Sequence, residues 1–431
     1  MFFTSNRLAQ PALPSGSSAV VDLDRLIGPL TGRGDRRRER RAPPSRPVFA
    51  IVSEELTPYR VHMHRRIARE IPEFKLATVQ VLEPSASAWR LTESSINTVD
   101  VSARKDAGAG RLSGARRQAV TARNLVRWLN ENKPEAVMLV GYHRLPLLGA
   151  LLWCRLRGVP ALLWGDSNVR GDRLKGLKRR VKQSVLPWVL RQYSACLACG
   201  SMGQQFFQRY GVKSDRLHLS PVEPDYDQIE RLDSSWEEEA TKRFGLDNGM
   251  RRIVISSRLV GIKRVDLSIR AFAAIAAERA GWEMVILGDG PERAALEALV
   301  PAGLKHRVRF MGFVGQQELV TSVYRRSEVL LHAASWEPWA LVINEATAAG
   351  LAMVTTEAVG AAVELVRDGV NGRVVARDDL DALTDALREV TEGSRARTMG
   401  AESRRVLAEW RQKADPVAGL REALRRSGAV A

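Results

Sequence analysis

Glu337 and Glu345 stand eight positions apart in the stretch HAASWEPWALVINEATAAG, His332 to Gly350. Carboxylates sit at low cost on a solvated helix face. These two, however, lie among small and apolar residues directly after the run SEVLLHAA. Proline is favoured at the first position of a helix, so the stretch predicts a helix that opens at Pro338. Glu337 then stands at its mouth and Glu345 two turns inside, separated by roughly 10 Å along the axis at ~1.5 Å rise per residue. Between them the amides of Trp339, Ala340 and Leu341 would point outward as an anion site. Carboxylates accept paired hydrogen bonds from vicinal diols, which sugars and riboses both supply. A diphosphate on the amides with a diol near each end fits this spacing, which is the outline of a nucleotide-sugar.

A second group is SSRLVGIKRVDL, Ser256 to Leu267, where Arg258 and Lys263 flank a short glycine-containing turn after an apolar run. Two cations at the carboxyl end of a strand would neutralise a leaving diphosphate. Solvated surface cations are the plainer reading of the same pair. ILGDGPE, Ile286 to Glu292, places Gly288 in a Gly-Asp-Gly turn that opens a helix, a weak phosphate signal that is also an ordinary turn. Three further candidates follow apolar runs in the first half: Arg60, Tyr142 and Asp166. Asp166, in WGDSN, either meets an acceptor or caps the next helix, and the cap is the preferred reading. The CxxC of Cys196 and Cys199 lies inside an apolar run with no second ligand pair, so two small buried residues explain it. The acidic triplet at Asp225–Asp227 imitates a metal-binding DxD but falls in a polar connection.

These residues need elements to hold them. PVFAIVSEE, KLATVQVLE, AVMLVG, PALLWGD and ACLACGS read as buried strands, separated by helical patterns such as GARRQAVTARNLVRWLNEN. After the polar stretch Pro221–Met250 the pattern restarts with RRIVISSRL, WEMVILGDG, VRFMGFV, SEVLLHAAS and AMVTTEAV. Strands alternating with helices imply parallel sheets covered on both faces. Ligands of such sheets bind beyond the carboxyl ends of the strands. The division expected is a disordered basic tail over 1–46, a first α/β domain over 47–222 and a linker over 223–248. A second α/β domain over 249–395 and closing helices over 396–431, returning to the first domain, complete it.

The chain has 431 residues, too many for one core. With 45% hydrophobic and 27% charged residues the composition is globular, which excludes a disordered or membrane-embedded chain. Three cysteines make no disulfide framework and fit a reducing, cytoplasmic setting. No run is long and apolar enough to span a bilayer, and the first residues lack the pattern of a signal peptide. The net charge of +17 attracts phosphates, whether on nucleic acid, lipid or nucleotide. No zinc finger, aromatic sheet signature or clear helix-turn-helix accompanies it, so nucleic acid is not expected as a partner. The stretch 173–193, RLKGLKRRVKQSVLPWVLRQY, mixes basic residues with Leu, Val and Trp. It fits a helix lying on an anionic membrane surface, or a helix whose basic side is merely solvated.

Taken in order, SSRLVGIKRVDLSIRAF, VILGDGPERAALE, VRFMGFV and SWEPWALVINEATAAGLAMVTTEAVGAAVELVRDGVNGRVV resemble the donor-binding half of a retaining glycosyltransferase of family 4. Glu337 and Glu345 match the E-x7-E motif of that family. TPYRVHMHRRIARE resembles the PYR start of a bacterial subgroup. The resemblance implies the GT-B fold, with two Rossmann-like doubly wound domains facing each other across a cleft. It implies hexose transfer from a UDP- or GDP-sugar to a lipid-linked or polysaccharide acceptor, with retention, and neither metal nor other cofactor. Glu337 would meet the donor sugar and Glu345 the ribose, while Arg258, Lys263 and the amides from Trp339 to Val342 hold the diphosphate. Backbone around Gly312, Phe313 and Val314 would meet the base. His143 stands where the family often has a histidine against the sugar, although a loop histidine is the plainer reading. The family usually carries Gly at the position of Ala340, Pro at that of Ala352, and a Gly pair where Gly360 and Ala361 stand. A non-catalytic relative that binds nucleotide-sugar or scaffolds a partner transferase is the alternative.

Overall fold

Two parallel sheets organise the computed structural model, which describes residues 46–54, 56–82, 97–103 and 114–430. The first contains β1 (Val48–Ser53), β2 (Lys75–Gln80), β3 (Thr98–Asp100), β4 (Ala136–Val140), β5 (Ala161–Gly165), β6 (Ala195–Ala198) and β7 (Leu217–Leu219). The second contains β8 (Arg251–Ser256), β9 (Trp282–Leu287), β10 (Val308–Gly312), β11 (Val329–His332), β12 (Ala352–Thr356) and β13 (Gly372–Val375). Their orders are β3-β2-β1-β4-β5-β6-β7 and β10-β9-β8-β11-β12-β13. Helices cover both faces, which is why strands such as β5 and β9 are buried along their whole length and read as continuous apolar runs. This is the GT-B architecture.

In each sheet the chain runs outward in one direction and then returns to continue on the other side. The order reverses between β1 and β4 in the first sheet and between β8 and β11 in the second. Loops leaving neighbouring strands diverge at such a point and open a crevice at the carboxyl edge. The loop after β8 carries Arg258 and Lys263, and the loop after β11 carries Glu337.

The stretch 223–248 is more than a polar connection. It folds into helices Tyr226–Glu230 and Ser234–Phe244, each capped by an aspartate, Asp225 and Asp233, with Tyr226 and Phe244 buried. Asp225 also pairs with His62 at 3.1 Å, which gives the acidic triplet a structural use. The basic tail lies, up to residue 45, outside the described residues. The closing helices are Arg395–Lys413, tied to the second domain by Ser403 Oγ donating to Leu351 O at 2.6 Å, and Pro416–Arg426. The latter packs beside β7, where Ser220 Oγ donates to Pro416 O at 3.0 Å. Arg66 binds Glu70, Glu223 and Asp415 together and so joins the first domain, the crossover and the last helix.

Candidate functional site

The helix expected to open at Pro338 begins at Leu341 and runs to Ala349. Residues 337–339 are held extended instead. Glu337 bridges to Val359, Gly360 N donates to Glu337 O at 3.2 Å, and Ala361 N donates to Trp339 O at 2.7 Å. Gly360 permits this approach, since a methyl there would collide with the Pro338 carbonyl oxygen. The proline preference is thereby overridden by a strand partner distant in sequence, and the axial estimate of the distance between Glu337 and Glu345 no longer applies. Ala340 makes the turn into the helix with φ 78° and ψ 83°, a left-handed conformation that costs a residue with Cβ roughly 1–2 kcal/mol. The usual glycine at this position has a physical reason. The amides left over at the start of the helix are those of Leu341 and Val342, to which no preceding turn supplies an acceptor.

Lys263 Nζ pairs with Glu337 Oε1, and both side chains are largely buried. Burial, and then the Arg258 guanidinium, pulls the Lys263 ammonium below the usual lysine range, while the Glu337 carboxylate works against that shift. Arg258 itself is exposed at the crevice edge. Ser335 N donates to Ile262 O at 2.9 Å and so ties the loop after β11 to the turn that carries Lys263. His332, at the end of β11, is buried with its Nε2 3.6 Å from Glu337 Oε1 and without a hydrogen bond. Burial, with the Lys263 charge behind it, pushes the imidazole down to about 3, so it is neutral.

Glu345 sits in the second turn of the helix Leu341–Ala349, buried, with Gln317 Nε2 donating at 2.9 Å and Tyr324 Oη at 3.1 Å. Burial pushes its carboxyl up to about 7 against the pull of those two bonds. Gln317 and Tyr324, on the helix Gln317–Arg325, carry no sequence signal that marks them as partners of a distant acid. Behind the crevice, Gly288 N donates to Gly312 O at 2.8 Å, linking the loops after β9 and β10. Phe313 is exposed there and Val314 buried.

Across the cleft, Asn168 Nδ2 donates to Glu337 O at 3.1 Å and Pro338 O at 3.0 Å. The same residue caps the turn Val169–Gly171 through its Oδ1, so Asn168, and not Asp166, is the cap. Asp166 is left open to cleft water, yet enough protein surrounds it that desolvation raises its carboxyl against the pull of Arg60. Tyr142 lies edge-on to His143, which is exposed. Arg60 stacks over the Trp164 ring at 5.8 Å. The Trp339 indole is a further interdomain pin, donating to Val222 O and Asn344 Oδ1, each at 3.0 Å. Among the described residues, no three His, Cys, Asp or Glu side chains group as metal ligands, and all three cysteines are free and buried.

Known proteins resemble this chain in sequence and in fold. The family described as glycosyl transferases group 1 matches residues 237–407, which include Arg258, Lys263, Glu337 and Glu345. An exopolysaccharide phosphotransferase of Streptomyces coelicolor is 35% identical over 136 residues, 31% of this chain and 14% of that protein. The lipopolysaccharide core biosynthesis mannosyltransferase LpsB of Rhizobium meliloti is 33% identical over 156 residues, 34% of this chain and 43% of that protein. The chain thus spans less than half the length of these curated relatives. The crystal structure of Anabaena Alr3699/HepE in complex with UDP and glucose superposes with TM-score 0.69 at 16% identity, covering 89% of this chain and all of that one. Residues 237–407 are thus similar to the glycosyl transferases group 1 family, and the fold is that of the glycosyltransferases of GT-B type.

Proposed function

We propose that the protein is a retaining glycosyltransferase. It moves a hexose from a UDP- or GDP-sugar to a lipid-linked or polysaccharide acceptor in the synthesis of a surface or extracellular glycan. The observation that carries this reading is the meeting of Arg258, Lys263, Glu337 and the start of the helix Leu341–Ala349 at the reversal point of the second sheet. The relatives named above support it, since one is a lipopolysaccharide mannosyltransferase and another fold neighbour was solved with UDP and glucose.

In this reading the diphosphate lies on the Leu341 and Val342 amides, with Arg258 and Lys263 neutralising the charge that grows as the bond to the anomeric carbon breaks. Glu337 accepts hydrogen bonds from the sugar and Glu345 from the ribose, while the backbone of Gly312–Val314 meets the base. His143 faces the sugar from the first domain. The acceptor oxygen bonds to the anomeric carbon, and its proton passes to the departing phosphate on the same face of the sugar. No metal takes part in the proposal. The helix Gly176–Leu190 exposes Leu177, Val181, Val185 and Trp188 beside Lys178, Arg179 and Arg180, which suits contact with an anionic membrane surface on the cytoplasmic side. Among the described residues no helix is long and apolar enough to cross a membrane.

The test is a thermal-shift and hydrolysis screen against UDP-, GDP- and ADP-sugars. Stabilisation and slow hydrolysis by one donor class are expected. Stabilisation without hydrolysis or transfer would favour the non-catalytic relative.

A further inference from the structure

A cavity lies in the first domain between the helix Pro58–Glu70 and the carboxyl ends of β4 and β5. It adjoins the reversal point between β1 and β4, the counterpart of the donor crevice on the other side of the cleft. Its walls are mostly apolar, formed by Met63, Met138, Val140, Trp164 and Val222, with Tyr59, His64 and Glu223 completing the lining, and Arg60 reaches it from the first turn of the helix. Three of its polar wall residues, His64, Trp164 and Glu223, already have partners. The Trp164 indole donates to Ser220 O at 2.9 Å, and His64 Nδ1 bonds Thr78 Oγ1 at 2.9 Å. Glu223 is taken by Arg66, and Glu54, at the end of β1, by Arg144.

Arg60 is the exception. Its Nη1 is buried and makes no hydrogen bond, and Asp166, the acid it acts on, is reached through charge alone. A buried donor without an acceptor costs about 1–3 kcal/mol, more when it is charged, so the position calls for an acceptor oxygen. A guanidinium binds phosphate or carboxylate oxygens through paired charge-assisted bonds. A neutral sugar ring does not match the rest of the cavity. Its hydroxyls would need several polar partners, and apart from Tyr59 and the engaged His64 and Glu223 the walls offer methionine, valine and the face of an indole already covered by Arg60. The pairing of one unsatisfied cation with apolar walls selects a ligand built the same way.

We propose that this cavity binds the acceptor through an anionic group carried on an apolar stem, with Arg60 on the anion and Met63, Met138, Val140 and Val222 around the stem. The assignment rests on the transferase reading for the word acceptor, but the binding site itself does not. Geranyl phosphate, inorganic phosphate and geraniol serve as probes in calorimetric titrations of the full chain. Geranyl phosphate is expected to bind saturably, at least ten-fold more tightly than either other probe. Arg60→Gln should weaken it ten-fold or more, and Val140→Phe, which narrows the cavity without touching the charge, should also weaken it. Equal affinity for inorganic phosphate would reduce the site to a plain anion site and overturn the proposal. So would equal affinity for geraniol, or unchanged binding in a folded Arg60→Gln protein. If Arg60→Gln does not fold, unchanged geranyl phosphate binding in Val140→Phe overturns it alone. A UDP- and GDP-sugar titration of the wild-type protein separates the two readings. Geranyl phosphate binding without nucleotide-sugar binding keeps the cavity and fells the transferase, and the reverse result fells the cavity alone.

Discussion

Lys263 Nζ lies against Glu337 Oε1, and His332 Nε2 waits 3.6 Å from the same oxygen. The cation proposed for the leaving diphosphate is thus held by the acid proposed for the sugar. An incoming diphosphate competes for Lys263, and the neutral imidazole is the donor best placed to take over the Glu337 oxygen. Lys263→Met removes the leaving-group cation and should lower turnover by about 10²–10³, the range seen when one preorganised electrostatic partner is lost. Donor hydrolysis under single-turnover conditions measures this directly. A wild-type rate would remove Lys263 from the chemistry.

Ala340 holds φ 78° where a side chain is disfavoured. Ala340→Gly removes strain of roughly 1–2 kcal/mol. It also adds about 0.4–1 kcal/mol of unfolded-state entropy to be lost on folding. The variant should therefore be more stable than the wild type by up to about 1.6 kcal/mol, and Ala340→Val, branched at Cβ, should be less stable than either. Urea unfolding midpoints order the three proteins. A glycine variant weaker than the wild type would mean that the left-handed turn is not under strain.

Glu345 keeps its proton up to about pH 7 in the folded protein, against an ordinary carboxyl value of 4.5. The folded state thus binds more protons than the unfolded state between those values, and stability falls as pH rises through that window. Each pH unit across the window corresponds to about 1.4 kcal/mol, so the whole effect is a few kcal/mol. Glu345→Gln should flatten this part of the stability-against-pH curve. If Glu345 takes the ribose as proposed, the binding form is the carboxylate, so nucleotide affinity in the wild type should drop as pH is lowered from 8 to 6. An affinity constant across that range would place the ribose elsewhere.

The strands could be read from the sequence because sheets covered on both faces demand continuous apolar runs, as WEMVIL in β9 shows. Arg258, Lys263, Glu337 and Glu345 stood out because charges at the ends of such runs need a cause. What could not be read depends on partners distant in sequence. The start of the helix at Leu341 follows from the pairing of Glu337 with Val359 and from Gly360, both some twenty residues on. The cap at Asn168 rather than Asp166 depends on a loop that reaches across the cleft to Pro338 O. Gln317 and Tyr324 meet Glu345 only because their helix packs beside it.

The last helix tests how the two domains are held together. Gly419 lies against the Leu219 carbonyl at the end of β7, so close that an added Cβ would collide with backbone rather than with a movable side chain. The helix around it is anchored to the first domain by Arg421 on Glu73 at 2.6 Å and, through Asp415, by Arg66. Gly419→Ala should push the helix off β7, at a cost of about 1–3 kcal/mol, the usual range for overpacking. Gly428→Ala serves as the control, since a methyl there meets open space although its φ is 76°. That control should cost only the local backbone strain, about 1–2 kcal/mol, and leave the helix in place. Hydrogen exchange over 415–426 distinguishes them. Exchange should quicken in Gly419→Ala and stay as in the wild type in the control, and equal protection in both would mean that the helix does not depend on its seat at Leu219.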